Sequence, residues 1–176
     1  MIQNYSKWKV LSIFFDDPNP KEGFTIRWIS KQIKLAPTSV KLHLDALVGE
    51  GFVTKAEGRA YGTYWPNREQ QLFRFYKRID MQVRLEESKL LEYIWDECTP
   101  KVVILFGSAV RGEDDQMSDI DLFVLAKERK LVLEKYERGL KRKIQLHFSD
   151  NFQKVPKELK NNIMNGIIVK GYMKVF

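Results

Sequence analysis

The sequence predicts an α+β chain in two parts, helices and a short hairpin first and a strand-rich half second, joined by a long helical segment. Two observations lead there. Apolar residues recur at helical spacing in the first half and again after Pro66, whereas the second half holds near-continuous apolar runs of strand length, KVVILF and IDLFVLA. The implied boundaries are 1–67, 68–98 and 99–176.

With 176 residues and 44% apolar content the chain can bury a sizeable core. A single cysteine, Cys98, excludes an internal disulfide framework and fits a reducing cytosol. The start, MIQNYSKWKVLSIFFDDP, lacks a secretory pattern, and no apolar run approaches the ~18 residues a membrane span needs. A soluble cytoplasmic protein with no membrane partner is expected. Net charge is +7, and residues 1–80 hold 13 Lys/Arg against 8 Asp/Glu, while residues 81–176 hold 17 against 15. A polyanion partner for the first half and an ordinary lysine-rich surface both satisfy that imbalance, so pattern has to decide.

Trp8, Leu11 and Phe15 mark a first helix, with Ser6 as a candidate cap, and DDPNPKEG ends it. Phe24 and Ile26 stand at strand spacing before a short helix from about Ile29 to Ile33. After the turn at KLA, Pro37 suits a first helical turn, and Val40, Leu44 and Leu47 share one face of an amphipathic helix that Gly51 terminates. FVTKAEGRAYGTYWPNR then reads as strand, turn at Gly58-Arg59, and strand. This order resembles a winged helix-turn-helix over roughly residues 5–67. The resemblance implies a second helix in the major groove of duplex DNA, with Thr38, Ser39 and Lys41 near its start and Lys34, Lys55 and Arg59 as phosphate contacts. Leu42 and Asp45 on the outward face suit protein contact better than phosphate, so a protein-binding module stands as the alternative.

The segment from Asn67 to Cys98 is helical in composition, Asn67 being a candidate cap. Leu72, Tyr76, Ile79 and Val83 form a stripe that Leu90 and Ile94 resume. Thirty helical residues would span ~45 Å, more than a small domain covers, which favours a homodimer along the stripe. Two shorter helices broken near Glu87-Ser88 are the alternative.

In the second half KVVILF ends at Gly107-Ser108, AVRGEDDQMS makes a helical turn and a loop, and IDLFVLA forms the next strand. Asp119 and Asp121 project from one face of it, Ile120, Leu122 and Val124 from the other. Two neighbouring carboxylates repel unless a cation lies between them, and Mg²⁺ takes carboxylate oxygens while sharing its remaining sites with phosphate. Gly107 permits close backbone approach of a phosphate, Ser108 adds a hydroxyl and an N–H, and Arg111 can reach the same anion. Together they make a phosphoryl- or nucleotidyl-transfer constellation.

Gly-Ser, ten residues, then Asp-x-Asp, with Arg-Gly between and Ser118 just before, resembles the minimal nucleotidyltransferase domains of the DNA polymerase β-like superfamily from about Pro100 to Asp150. That resemblance implies a small mixed sheet flanked by helices and a Gly-Ser turn holding the phosphates of a nucleoside triphosphate, here ATP. It also implies two Mg²⁺ ions on three carboxylates, with Asp119 and Asp121 as metal ligands and catalytic residues. Relatives of this type often act as antitoxins that adenylylate a small helical toxin, so the resemblance implies a protein or nucleic-acid acceptor as well. The third carboxylate should lie on a later strand. There Ile144, Leu146 and Phe148 point inward, and Gln145 occupies the carboxylate's place, leaving the metal site incomplete. His147, on the same face, is a substitute base or a bystander. Ala109 replaces a basic residue common in relatives. A helix from Pro156 to about Asn165 and a strand from Ile167 to Val169 complete the chain. The expected function is nucleotidyl transfer coupled to DNA binding; the alternative is a non-catalytic DNA-binding regulator whose second domain senses a nucleotide or binds a partner protein.

Overall fold

A computed structural model describes residues 5–56 and 62–174. The chain divides into two units, Met1–Lys77 and Arg78–Phe176.

In the first unit, α1 (Ser6–Asp16) buries Leu11, Phe14 and Phe15. A two-residue strand, β1 (Phe24–Thr25), leads into α2 (Ile26–Ile33), which starts three residues earlier than the spacing predicts. The cause is Thr25, whose side-chain oxygen accepts the Trp28 N–H at 3.2 Å and caps the helix. Lys34 stops α2 in a left-handed conformation, φ 55°. α3 (Pro37–Gly49) buries Val40, Leu44 and Leu47 completely, as their spacing requires. β2 (Val53–Ala56) and β3 (Thr63–Pro66) pair antiparallel, and the sheet order is β1-β3-β2. The turn joining them, with Gly58 and Arg59, lies outside the described residues.

The helical segment is two helices, α4 (Gln71–Glu87) and α5 (Leu90–Cys98), as in the broken alternative. At the break Ser88 donates its hydroxyl to the Leu85 carbonyl at 2.7 Å and accepts the Leu90 N–H at 3.2 Å, competing with the backbone ladder. Lys89 then turns left-handed, φ 64°. The buried face of α4 also differs from the expected stripe. Phe73 turns inward to meet Phe15 edge-on at 5.1 Å, which leaves Leu72 half exposed. Leu90 and Ile94 are fully buried in the core of the second unit and so are not available to a second copy.

The second unit holds a four-stranded mixed sheet, order β6-β5-β4-β7, built from β4 (Val102–Phe106), β5 (Ile120–Leu125), β6 (Ile144–Ser149) and β7 (Ile167–Gly171). β4 is antiparallel to both neighbours, and β5 and β6 run parallel. A parallel pair needs a crossover, supplied by α7 (Glu134–Leu140). One sheet face packs Leu90, Ile94, Val103, Leu105, Leu122 and Tyr136; the other packs Val102, Ile104, Phe106, Phe123 and Ile163. Ile163 comes from α8 (Lys157–Met164), and the one-turn helix α6 (Ser108–Arg111) follows β4.

A buried ion pair ties the loops at the head of this sheet. Arg142 approaches Asp114 at 2.5 Å, with side chains 6% and 2% exposed. Removing one partner leaves an uncompensated buried charge. Asp114→Ala is therefore expected to lower stability by about 3 kcal/mol, read by urea denaturation.

Candidate active site

The end of β4 and the starts of β5 and β6 converge at one end of the sheet. Phe106 stands opposite Asp121 across the β4–β5 pair, and Asp121 stands beside Gln145 across the β5–β6 pair. Because residues two apart share a face, Asp119, Asp121, Gln145 and His147 all lie on the Phe106–Phe123 side of the sheet.

The turn after β4 closes against the carboxylates. Gly107 has φ 79° and ψ −152°, a conformation essentially reserved for glycine. A Cβ there would fall 2.5 Å from Asp121 Oδ2, so any side chain would push the carboxylate from its place. Ser108 follows as the first residue of α6, half-buried. Arg111 lies along the turn: Nη1 donates to the Gly107 carbonyl at 3.2 Å and Nε donates to Glu113 at 2.6 Å.

Gln145 Nε2 donates to Asp119 Oδ2. His147 Nε2 lies 3.6 Å from Asp121 Oδ1, and its ring meets Phe106 edge-on at 5.1 Å. Asp121 is pushed above the usual carboxylate range, first by burial; the Asp119 charge adds to the rise and His147 works against it.

This donor set fits a hard divalent cation, because such an ion would offset both the desolvation and the repulsion that raise Asp121. Asp119 and Asp121 are the residues that could hold it. Among the described residues no group of three or more His, Cys, Asp or Glu side chains is placed to hold a metal. The three-carboxylate arrangement implied by the resemblance is thus not present in protein groups alone.

The family model for polymerase β nucleotidyltransferases matches residues 72–172, over half of the chain. The chain belongs to that family. No curated protein and no solved structure matches it. The nucleotidyltransferase match contains Gly107, Ser108, Arg111, Asp119 and Asp121. In this family member Gln145 holds the register position beside Asp121. Ala109 is buried in the core layer that also contains Leu105 and Leu122, so a small apolar residue serves packing there. Among the described residues no helix is long and apolar enough to cross a membrane.

The remaining sequence candidates sit in the first unit. Lys34 is exposed at the turn between α2 and α3, and Thr38 and Ser39 lie on the first turn of α3. Lys41 is exposed and bonded to Asp45 at 2.6 Å, which raises its pKa. Lys55 is exposed on β2. Arg59 is outside the described residues.

Sequence reasoning missed the residues that shape the loop before Asp119. Ser118 donates to Asp115 Oδ1 at 3.0 Å, and the Met117 N–H reaches the same oxygen at 2.9 Å. The Ser118 bond leads the causes that lower the Asp115 pKa. The one signal available was the run Asp-Asp-Gln-Met-Ser, whose Asp and Ser are turn formers at local hydrogen-bonding distance.

Asp121 has a folded pKa above its unfolded one, so the unfolded state releases its proton first as pH rises. Stability falls from about pH 4, the ordinary Asp value, until the folded carboxyl has also ionised. Asp121→Asn should therefore raise the melting temperature at pH 7, by roughly 2–4 °C per 1 kcal/mol relieved, with the difference shrinking toward pH 4 in a thermal melt series.

Proposed function

We propose that the chain is a Mg²⁺-dependent nucleotidyltransferase that moves AMP from ATP onto a protein or nucleic-acid acceptor, with an N-terminal winged helix-turn-helix that binds duplex DNA. The approach of Gly107 to Asp121 carries this reading, since it puts a turn suited to phosphate beside a desolvated carboxylate, with Asp119 two residues before it. Gly107 leaves space at the backbone, Ser108 offers its hydroxyl and N–H, and Arg111 brings a cation along the turn. Asp119 and Asp121 would hold Mg²⁺, which supplies charge neutralisation for the triphosphate and its leaving pyrophosphate. Gln145 cannot take a proton from an acceptor hydroxyl, so turnover is slow. The helix and strand order α1-β1-α2-α3-β2-β3 and the exposure of Lys34, Thr38 and Lys41 support the DNA-binding half. The half-exposed Leu72 and Phe75 on α4 support a homodimer, and an antitoxin-type role with a toxin partner belongs to the same reading.

The hydrogen bond from Gln145 to Asp119 favours a second reading. It satisfies a carboxylate that catalysis would leave for metal, as suits a DNA-binding regulator that senses nucleotide without transferring it.

α-labelled and γ-labelled ATP, with Mg²⁺ and candidate acceptors, separate the two. Transfer retains α-label on the acceptor and loses it in Asp119→Asn and Asp121→Asn; nucleotide binding without pyrophosphate release supports the regulator. Gln145→Asp should accelerate transfer by roughly 10²-fold or more through restored base assistance. Duplex DNA affinity should fall with salt, and Lys34→Ala and Lys41→Ala should each reduce the log–log slope by about 0.9 if each side chain contacts a phosphate.

A further inference from the structure

One polar atom at the site is left unused by the proposed function. His147 Nε2 is buried and has no hydrogen-bond partner among the described residues, although buried polar atoms are rarely left without one. Its direction is set by the fold. β6 runs parallel to β5, so His147 faces the same side as Asp121, and its ring rests edge-on against Phe106 with an interplanar angle of 62°.

The 3.6 Å between Nε2 and Asp121 Oδ1 is too long for a hydrogen bond. It is close to the spacing of neighbouring donors around one ion, about 3 Å for ligands ~2.1 Å from the metal at right angles. Asp119 is meanwhile engaged by Gln145. Asp121 and His147 lie close enough together to share one ion, Asp119 keeps its second oxygen for the same site, and phosphate oxygens of a bound nucleotide would complete the coordination.

We propose that His147 is a metal ligand of the nucleotide site and that it makes the site select a divalent first-row transition ion over Mg²⁺. This rests on the nucleotidyltransferase reading and changes its metal. The chemistry is that of the donor set: neutral imidazole, in the tautomer that leaves Nε2 unprotonated, gives a nitrogen donor that suits transition ions, whereas Mg²⁺ demands oxygen and keeps its water. With a carboxylate in the third position the site would be all-oxygen. In this chain the amide at 145 is turned to Asp119, and the strand offers a nitrogen two residues on.

The test uses the full chain with a non-hydrolysable ATP analogue and Mn²⁺ or Mg²⁺ as the added ion. Pulsed electron spin resonance of the Mn²⁺ complex should show coupling to a histidine nitrogen, shifted by ¹⁵N-histidine labelling. His147→Phe keeps an aromatic edge against Phe106 and removes the nitrogen, and His147→Gln provides a second variant with a different fit. Both should lose the coupling and reduce the Mn²⁺-to-Mg²⁺ affinity ratio by roughly tenfold. A Mn²⁺–nucleotide complex without histidine coupling, or an affinity ratio unchanged in both variants, overturns the proposal and leaves the nucleotidyltransferase reading intact. Failure of nucleotide to bind with either ion overturns both.

Discussion

The backbone of Gly107 passes so close to the Asp121 carboxylate that a side chain there would displace it. That approach follows from strand register, because pairing Phe106 with Asp121 makes residue 107 the first to leave the sheet directly above the acid. A positive φ then turns the chain into α6. Glycine is required twice at this position, once for conformation and once for space. The Asp121 carboxylate sits there against its own preference, since burial and the neighbouring Asp119 charge both favour the neutral acid. The candidate site therefore occupies a locally unfavourable corner of the fold.

The surroundings absorb that disadvantage. All five residues of β4 are buried, with apolar layers on both sheet faces. The Arg142–Asp114 pair joins the loop before β5 to the connection entering β6, and Ser118 and Asp115 order the last residues ahead of Asp119. The acids thus rest on a rigid sheet and are approached by loops that are themselves pinned.

Much of this was readable from residue order. Alternation assigned the faces of Asp119, Asp121, Gln145 and His147 correctly, because a strand's period of two leaves little choice once one face is apolar. Gly107-Ser108 and the acids came together because a short excursion between antiparallel neighbours keeps its ends close. Other features depend on local side-chain bonds or on tertiary contact. Thr25 extended α2 through a cap, Ser88 divided the helical segment, and Phe73 displaced Leu72 from the buried face by meeting an aromatic ring in α1. The Arg142–Asp114 pair was invisible, since both residues sit in charged runs that read as solvated surface. The diagonal bond from Gln145 to Asp119, rather than to its register neighbour Asp121, is likewise a matter of rotamer and not of pattern.

β6 forms one border of the four-stranded sheet, with β5 as its partner. Gln145 and His147 project from that border, the first exposed and the second partly so, while the inward residues Ile144 and Leu146 anchor the strand. Polar and anchoring apolar side chains thereby alternate along the same six residues. The polar groups of this margin are thus held in place by the apolar seam behind them, with the His147 ring itself resting on the core residue Phe106.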